Sequence, residues 1–272
     1  MTSLIKAWPS LEKRLKPGRT LVVLLDFDGT LAPIVARPEI AWLPARTRRA
    51  LAELSRVPNV KLAVISGRAL SDVRRRVALP GVVFVGNHGL EVSGPRLRWT
   101  HPSAQKYRAG VRAVALRLGR VARGVPGSQL EWKGLTASVH WRGVATQNHE
   151  DFTRRLRNAV NEFIKEDKAR VTFGKLVMEI RPPIAWDKGT VIGWLMRRGV
   201  FPKDALLVML GDDTTDEDAF RFVRSAHGVT VRVGPSKVST AARYTLKDSV
   251  QVCAWLQRVA RSVGGYAVHP RR

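Results

Sequence analysis

The chain has 272 residues, 44% of them hydrophobic and 25% charged, with a formal net charge of +25. That is enough apolar material for a large core, and no run of about 18 apolar residues is present to form a membrane-spanning helix. A single cysteine, Cys253, excludes an internal disulfide and sits in an apolar stretch that reads as packed core.

Residues 1–19 lack the long apolar run and small-residue cleavage site of a secretory leader, so a cytoplasmic protein is expected. A five-residue apolar run at 21–25 leads into DFDGT, the pattern of a buried parallel strand ending in a loop. A helix is expected over 44–56 with Pro44 near its first turn. A second strand, VKLAVI, ends at Ser66 and Gly67, and a helix covers 69–77. A third strand ends at Gly86 and Asn87. Strands alternating with helices predict an open parallel sheet with helices on both faces, which binds ligands outside the carboxyl ends of its strands.

The pattern then changes. A helix over 104–123, alternating strands in LEWKGLTASVHWRG, a helix over 151–168 and a hairpin turning near Gly174 make an α+β unit. The parallel pattern resumes with a helix over 188–198, the strand ALLVML ending in GDDTTDED, the strand GVTVRVG and a last helix over 249–263. The expected architecture is α/β. A Rossmann-like core over 1–100 and 186–272 is interrupted by an α+β insertion over 101–185.

The chemistry-bearing residues gather at the strand ends. Asp26 and Asp28 follow a buried strand, where a carboxylate is desolvated on one side and can attack phosphorus. A second carboxylate nearby can protonate a leaving oxygen and then activate water. After another buried strand, Asp212, Asp213 and Asp216 to Asp218 repel one another unless a cation intervenes. All-oxygen donors suit Mg²⁺ rather than zinc. Asp216 to Asp218 can alternatively cap the next helix. Ser66 and Lys188, each at the start of a helix, are placed to bind an anion. His101, His140 and His149 show no metal-ligand spacing. The arginine runs at 74–76 and 154–157 read as solvated helix faces, so no specific nucleic-acid partner and no membrane partner is expected.

DFDGT, ISGR, a lysine opening a helix and GDD, in that order, resemble the haloacid dehalogenase-like phosphatases. The resemblance implies Asp26 as nucleophile, Asp28 as acid and base, and Ser66 and Lys188 as phosphate ligands. It implies magnesium on Asp26, the Asp28 backbone carbonyl and Asp212, with Asp213 or Asp216 in support. It also implies that the insertion is a cap. Within that superfamily LLDFDGTLAPI, VISGR, GNHGLE, LEWKGLTASVHWR, GKLVMEIRP, WDKG and GDDTTDEDAF resemble the trehalose-6-phosphate phosphatases. That resemblance implies Asn87, His88 and Glu91 near the crevice between core and cap. It implies Glu131, Lys133, Arg142, Lys175 and Glu179 as cap contacts to sugar hydroxyls. His140-Trp141-Arg142 stands where the family often has histidine-tyrosine-arginine, and Thr136 near where it often has serine. The implied reaction is hydrolysis of a phosphorylated disaccharide; separately, a monomer is expected. A phosphatase of another sugar phosphate, a phosphomutase, and a non-catalytic basic protein on the same fold remain the alternatives.

Overall fold

The computed structural model describes residues 1–15, 18–35, 37–174, 176–235 and 239–265. The chain divides into two compact units, Met1–Val35, Glu39–Arg98 and Trp186–Arg272 forming the first, and Ala36–Pro38 and Trp99–Ala185 the second.

In chain order the elements are β1 (Thr2–Ser3), α1 (Leu4–Glu12), β2 (Leu21–Leu25), α2 (Ala45–Ser55), β3 (Val60–Ile65), α3 (Leu70–Val77), β4 (Val83–Gly86), β5 (Glu91–Gly94) and β6 (Leu97–Thr100). They continue with α4 (Pro102–Arg123), β7 (Gln129–Trp132), β8 (Ala137–His140), α5 (His149–Lys165), β9 (Arg170–Gly174) and β10 (Val177–Arg181). The chain closes with α6 (Lys188–Arg197), β11 (Leu206–Gly211), α7 (Glu217–Ser225), β12 (Val229–Val233), β13 (Tyr244–Leu246) and α8 (Ser249–Gly265).

The first unit is a nine-stranded sheet in the order β1-β13-β12-β11-β2-β3-β4-β5-β6. From β1 to β4 the pairings are parallel, and β5 turns back antiparallel on β4. All five residues of β2 are buried, as expected for a central strand covered on both faces. Alternate side chains divide between those faces. Leu21, Val23 and Leu25 join Leu206, Val208 and Leu210 in one cluster with Leu4, Trp8, Leu51, Val73 and Trp255 of α1, α2, α3 and α8. Val22, Leu24, Leu207 and Met209 are buried too but lie outside that cluster, and α7 packs on β11 and β12 and against α6. The sheet order sets β11, β2, β3 and β4 side by side and parallel, so the loops carrying Asp212, Asp26, Ser66 and Asn87 leave from neighbouring strand ends.

Four features depart from the sequence pattern, the two-residue strand β1 among them. Helix α1 occupies a stretch for which no element was expected, because Pro9 lies inside it and masks the apolar spacing of Leu4, Trp8 and Leu11. Strand β13 is three residues long, too short to show a period. The sheet ends in the hairpin β5 and β6 rather than at β4, with Glu91 opposite Gly86.

The second unit is a four-stranded sheet in the order β7-β8-β10-β9, antiparallel throughout. Val139, Met178 and Ile180 form a core with Val111, Val114 and Leu118 of α4 and Leu156 and Val160 of α5. Residues directly opposite one another share a face. Glu131, Ser138, Glu179 and Thr172 are therefore one row across the sheet, on the face away from Val139 and Met178. No helix among the described residues is long and apolar enough to cross a membrane.

Helices α1 and α8 meet through Trp8 and Trp255, both fully buried, whose rings stand edge to face at 5.1 Å and 89°. Replacing Trp8 by alanine removes that pair and leaves a void. The expected outcome is a loss of about 3–5 kcal/mol of stability, read as a lowered midpoint in urea unfolding followed by circular dichroism.

Candidate active site

Asp26 is the first residue past β2 and is 6% exposed. Its N–H donates to the Leu210 carbonyl at 3.0 Å, so the ladder between β2 and β11 continues into the loop. One Asp26 carboxylate oxygen accepts from Lys188 Nζ at 2.7 Å. The same Nζ donates to Asp216 Oδ1 at 2.7 Å. Lys188 is the first residue of α6, whose N-terminus is capped by the Asp187 side chain on the Thr190 N–H at 2.7 Å. Asp216 is fully buried, and its second oxygen accepts from the Asp213 N–H at 3.0 Å.

Burial, reinforced by Asp216 and Asp212, pushes the Asp26 carboxyl well above its ordinary value against the pull of Lys188. Burial also works against the Lys188 charge, but Asp216 and Asp26 outweigh it and hold the ammonium firmly protonated. Asp212 is pushed up to about 8 by burial and by its neighbours Asp216 and Asp213. For both carboxyls burial is the larger cause, and the excess of carboxylates over cations adds to it.

Asp26, Asp212 and Asp216 form a group whose ligand oxygens lie within 4.8 Å of one another. Three oxygen donors, short of positive charge, with no histidine or cysteine among them, fit a hard divalent cation. Asp213 is not in that group. Its carboxylate accepts from the Thr214 N–H at 2.7 Å and closes a capping box with Asp216, so the capping expected of Asp216 to Asp218 begins at Asp213. Gly29 has φ +82°, and a Cβ there would overlap the Asp212 carboxylate. The DGT glycine is therefore required by both backbone and packing. Thr30 donates to Asp212 Oδ1 at 3.5 Å.

The remaining core residues join through the loops after β3 and β4. Ser66, 1% exposed, accepts from the Arg68 N–H at 3.1 Å. The Asn87 N–H donates to the Arg68 carbonyl at 2.7 Å and the His88 N–H to the Ser66 carbonyl at 3.0 Å. Asn87 Nδ2 donates to Glu91 Oε2 at 2.5 Å. Asp28 is half-exposed and gripped at both carboxylate oxygens by Arg68, at 2.7 Å each. Sequence reasoning assigned Arg68 no role, although it is the last residue of the quoted ISGR segment. Arg232, on β12, was also missed; it donates to the Asp213 carbonyl at 3.3 Å and lies 3.7 Å from Glu217.

In the second unit Glu131 Oε2 lies 3.2 Å from His140 Nε2 and 3.7 Å from Lys133 Nζ. Glu179 stands two strands away in the same row. Arg142 is exposed on the turn after β8, and Lys175 lies outside the described residues.

A family model for trehalose-phosphatase matches residues 24–250. The chain belongs to the trehalose-phosphatase family. It is 33% identical over 254 residues to probable trehalose-phosphate phosphatase D of Arabidopsis thaliana, covering 89% of this chain and 68% of that one. It is 39% identical over 256 residues to an uncharacterized glycosyl hydrolase of Mycobacterium tuberculosis, covering 91% of this chain but spanning only 19% of that relative's length. The C-terminal domain of trehalose-6-phosphate phosphatase from C. albicans superposes with a TM-score of 0.84 at 24% identity, over 96% of this chain and 99% of that one, a likeness of fold. The parallel-sheet α/β core and the α+β insertion expected from the sequence are both present.

Lys188→Met would leave Asp26 and Asp216 buried without their shared cation. The expected loss is about 3–5 kcal/mol at pH 7. The Asp26 carboxyl is already raised above its unfolded value, so the stability tied to it is full below about pH 4 and lost as pH rises. Without Lys188 that loss deepens, and urea unfolding between pH 4 and 8 should show the deficit of the variant growing with pH.

Proposed function

We propose that the chain is a magnesium-dependent phosphatase that hydrolyses trehalose 6-phosphate to trehalose and phosphate. The observation that carries the reading is the buried Asp26 carboxylate, placed by a central strand beside Lys188, Asp212 and Asp216 in a chain of the trehalose-phosphatase family.

An Asp26 oxygen attacks phosphorus, the bond from phosphorus to the sugar oxygen breaks, and Asp28 gives its proton to that oxygen. A water molecule then attacks the aspartyl-phosphate and passes a proton to Asp28, which releases phosphate, restores the Asp26 carboxylate and returns Asp28 to its protonated form. Ser66 and Lys188 hold the phosphoryl oxygens in line, since phosphoryl transfer is mostly a matter of positioning and charge. Mg²⁺ held by Asp26, Asp212 and Asp216, and by the Asp28 carbonyl, would neutralise the charge between carboxylates and phosphate. Burial strips Asp26 of water, and Lys188 offsets the burial that would otherwise protonate it.

The sugar is read by Asn87, His88 and Glu91 of the core and by Glu131, Lys133, Arg142, Lys175 and Glu179 of the cap. Glu131 and Glu179 lie in one row with Ser138 between them. A substrate lacking matching hydroxyls would forfeit these contacts.

Phosphate release from a panel of sugar phosphates tests the substrate. Trehalose 6-phosphate should be preferred, and a stronger preference for another sugar phosphate would move the assignment within the family's chemistry. Asp26→Asn keeps the shape of the side chain but cannot form the acyl phosphate, so its turnover should fall at least about a thousandfold. Removal of divalent cations by a chelator should abolish activity, with recovery on adding Mg²⁺.

The cap assignment has its own measurement. Glu131→Ala and Glu179→Ala should lower kcat/KM for trehalose 6-phosphate by roughly 30- to 1000-fold, the scale of charged hydrogen bonds in a desolvated site. The same variants should cost far less on a small aryl phosphate. Equal losses on both substrates would assign these glutamates to the fold instead.

A further inference from the structure

We infer that Arg68 is a positioning residue that holds the Asp28 carboxylate for proton transfer to the sugar oxygen. The inference rests on the reading of Asp28 as acid and base.

Arg68 Nε donates to Asp28 Oδ2 and Nη2 to Asp28 Oδ1, both at 2.7 Å. This two-point fork is the strongest geometry a carboxylate and a guanidinium can adopt, and it fixes the carboxylate plane as well as its position. Asp28 needs such a hold. Its side chain is 45% exposed, whereas the nucleophile beside it in sequence is buried. An exposed carboxylate past a strand end would otherwise turn among its rotamers.

Arg68 is itself over-determined. It is 5% exposed, and its guanidinium lies 5.3 Å from the centre of the Phe27 ring. Nη1 donates to Asp72 Oδ2 at 2.8 Å. Asp72 in turn accepts from Arg75 at 2.8 Å and Arg76 at 2.7 Å. Arg76 is anchored on the carbonyls of Glu39 and Ala41 and against the ring of Trp42. Both backbone groups of Arg68 are engaged as well, with Ser66 Oγ and the Asn87 N–H. A chain of charge-assisted bonds therefore runs from the 39–42 segment through α3 to Asp28. It gives the functional carboxylate the rigid support that a site needs.

Direct binding of substrate phosphate by Arg68 is the competing role. Three of its N–H donors are committed to carboxylates, and its side chain is nearly closed to solvent. Positioning accounts for both facts. As the proton moves at one Asp28 oxygen, the other stays on the fork.

The test is kcat/KM of the Mg²⁺-loaded enzyme on two substrates. Trehalose 6-phosphate has an alkoxide leaving group that needs a proton, whereas 4-nitrophenyl phosphate has one that leaves without it. Arg68→Met should lower kcat/KM for trehalose 6-phosphate by about 100-fold, the lower range of general acid catalysis, and for 4-nitrophenyl phosphate by less than about fivefold. Arg68→Lys keeps one contact, so it should recover at least about tenfold on the sugar substrate; it carries the same comparison if the methionine variant does not fold. Asp28→Asn should show the same selectivity, and Arg68→Met in that background should lower the rate by no more than about threefold further, because the two residues act as one unit.

Equal losses on both substrates for the Arg68 variants, with Asp28→Asn still selective, would overturn the positioning role alone. Losses that multiply in the double variant would likewise overturn it in favour of phosphate binding. If Asp28→Asn itself loses equally on both substrates, Asp28 is not the acid, and the role of Arg68 falls with it.

Discussion

One ammonium shared by two buried carboxylates is the interaction on which the rest of the site depends. Lys188 bridges Asp26 and Asp216, 162 and 28 residues away in the chain. None of the three has appreciable contact with water. Isolated charges there would be expelled or neutralised. As a triad they are tolerated, and they leave the site short of positive charge once Asp212 is counted. That deficit is what makes the cluster receptive to a cation and, with it, to a phosphate dianion.

The fold exists to hold this triad. β2 and β11 are neighbours, so Asp26 and the GDD segment leave the sheet together. α6 begins at Lys188, where the helix N-terminus adds its own partial positive charge to that of the side chain. Two glycines complete the fit. A side chain at Gly29 would overlap Asp212, and one at Gly211 would overlap Asp216. The glycines of DGT and GDD are thus explained by the volume of the carboxylates opposite them.

The high positive charge of the chain has a partial structural account. Several arginines work as caps for backbone carbonyls: Arg19 on Asp204, Arg48 on Val77 and Arg76, and Arg76 on Glu39 and Ala41. A planar guanidinium can serve two carbonyls at once, which an ammonium does poorly. The others raise the positive potential around the molecule and so the local concentration of anionic ligands. The acidic site itself would repel such ligands if it held no cation.

The amino-acid sequence by itself determined the alternation of strand and helix and the strand-end positions of Asp26, Ser66 and Asp212, because apolar runs of five or six residues ending in glycine and aspartate have few other solutions. It determined the helix start at Lys188 and the α+β character of the insertion in the same way. It did not reveal α1, where a proline interrupts the pattern, or β13, which is too short to have one. Which of five neighbouring acidic residues turn inward, that Asp213 caps while Asp216 pairs with Lys188, and that Arg68 grips Asp28 were decided only by the tertiary structure. The physical reason is that these contacts depend on strand order and on the direction of each side chain at a loop. Neither leaves a periodic trace along the chain, since the partners are brought together by the packing of elements far apart in sequence.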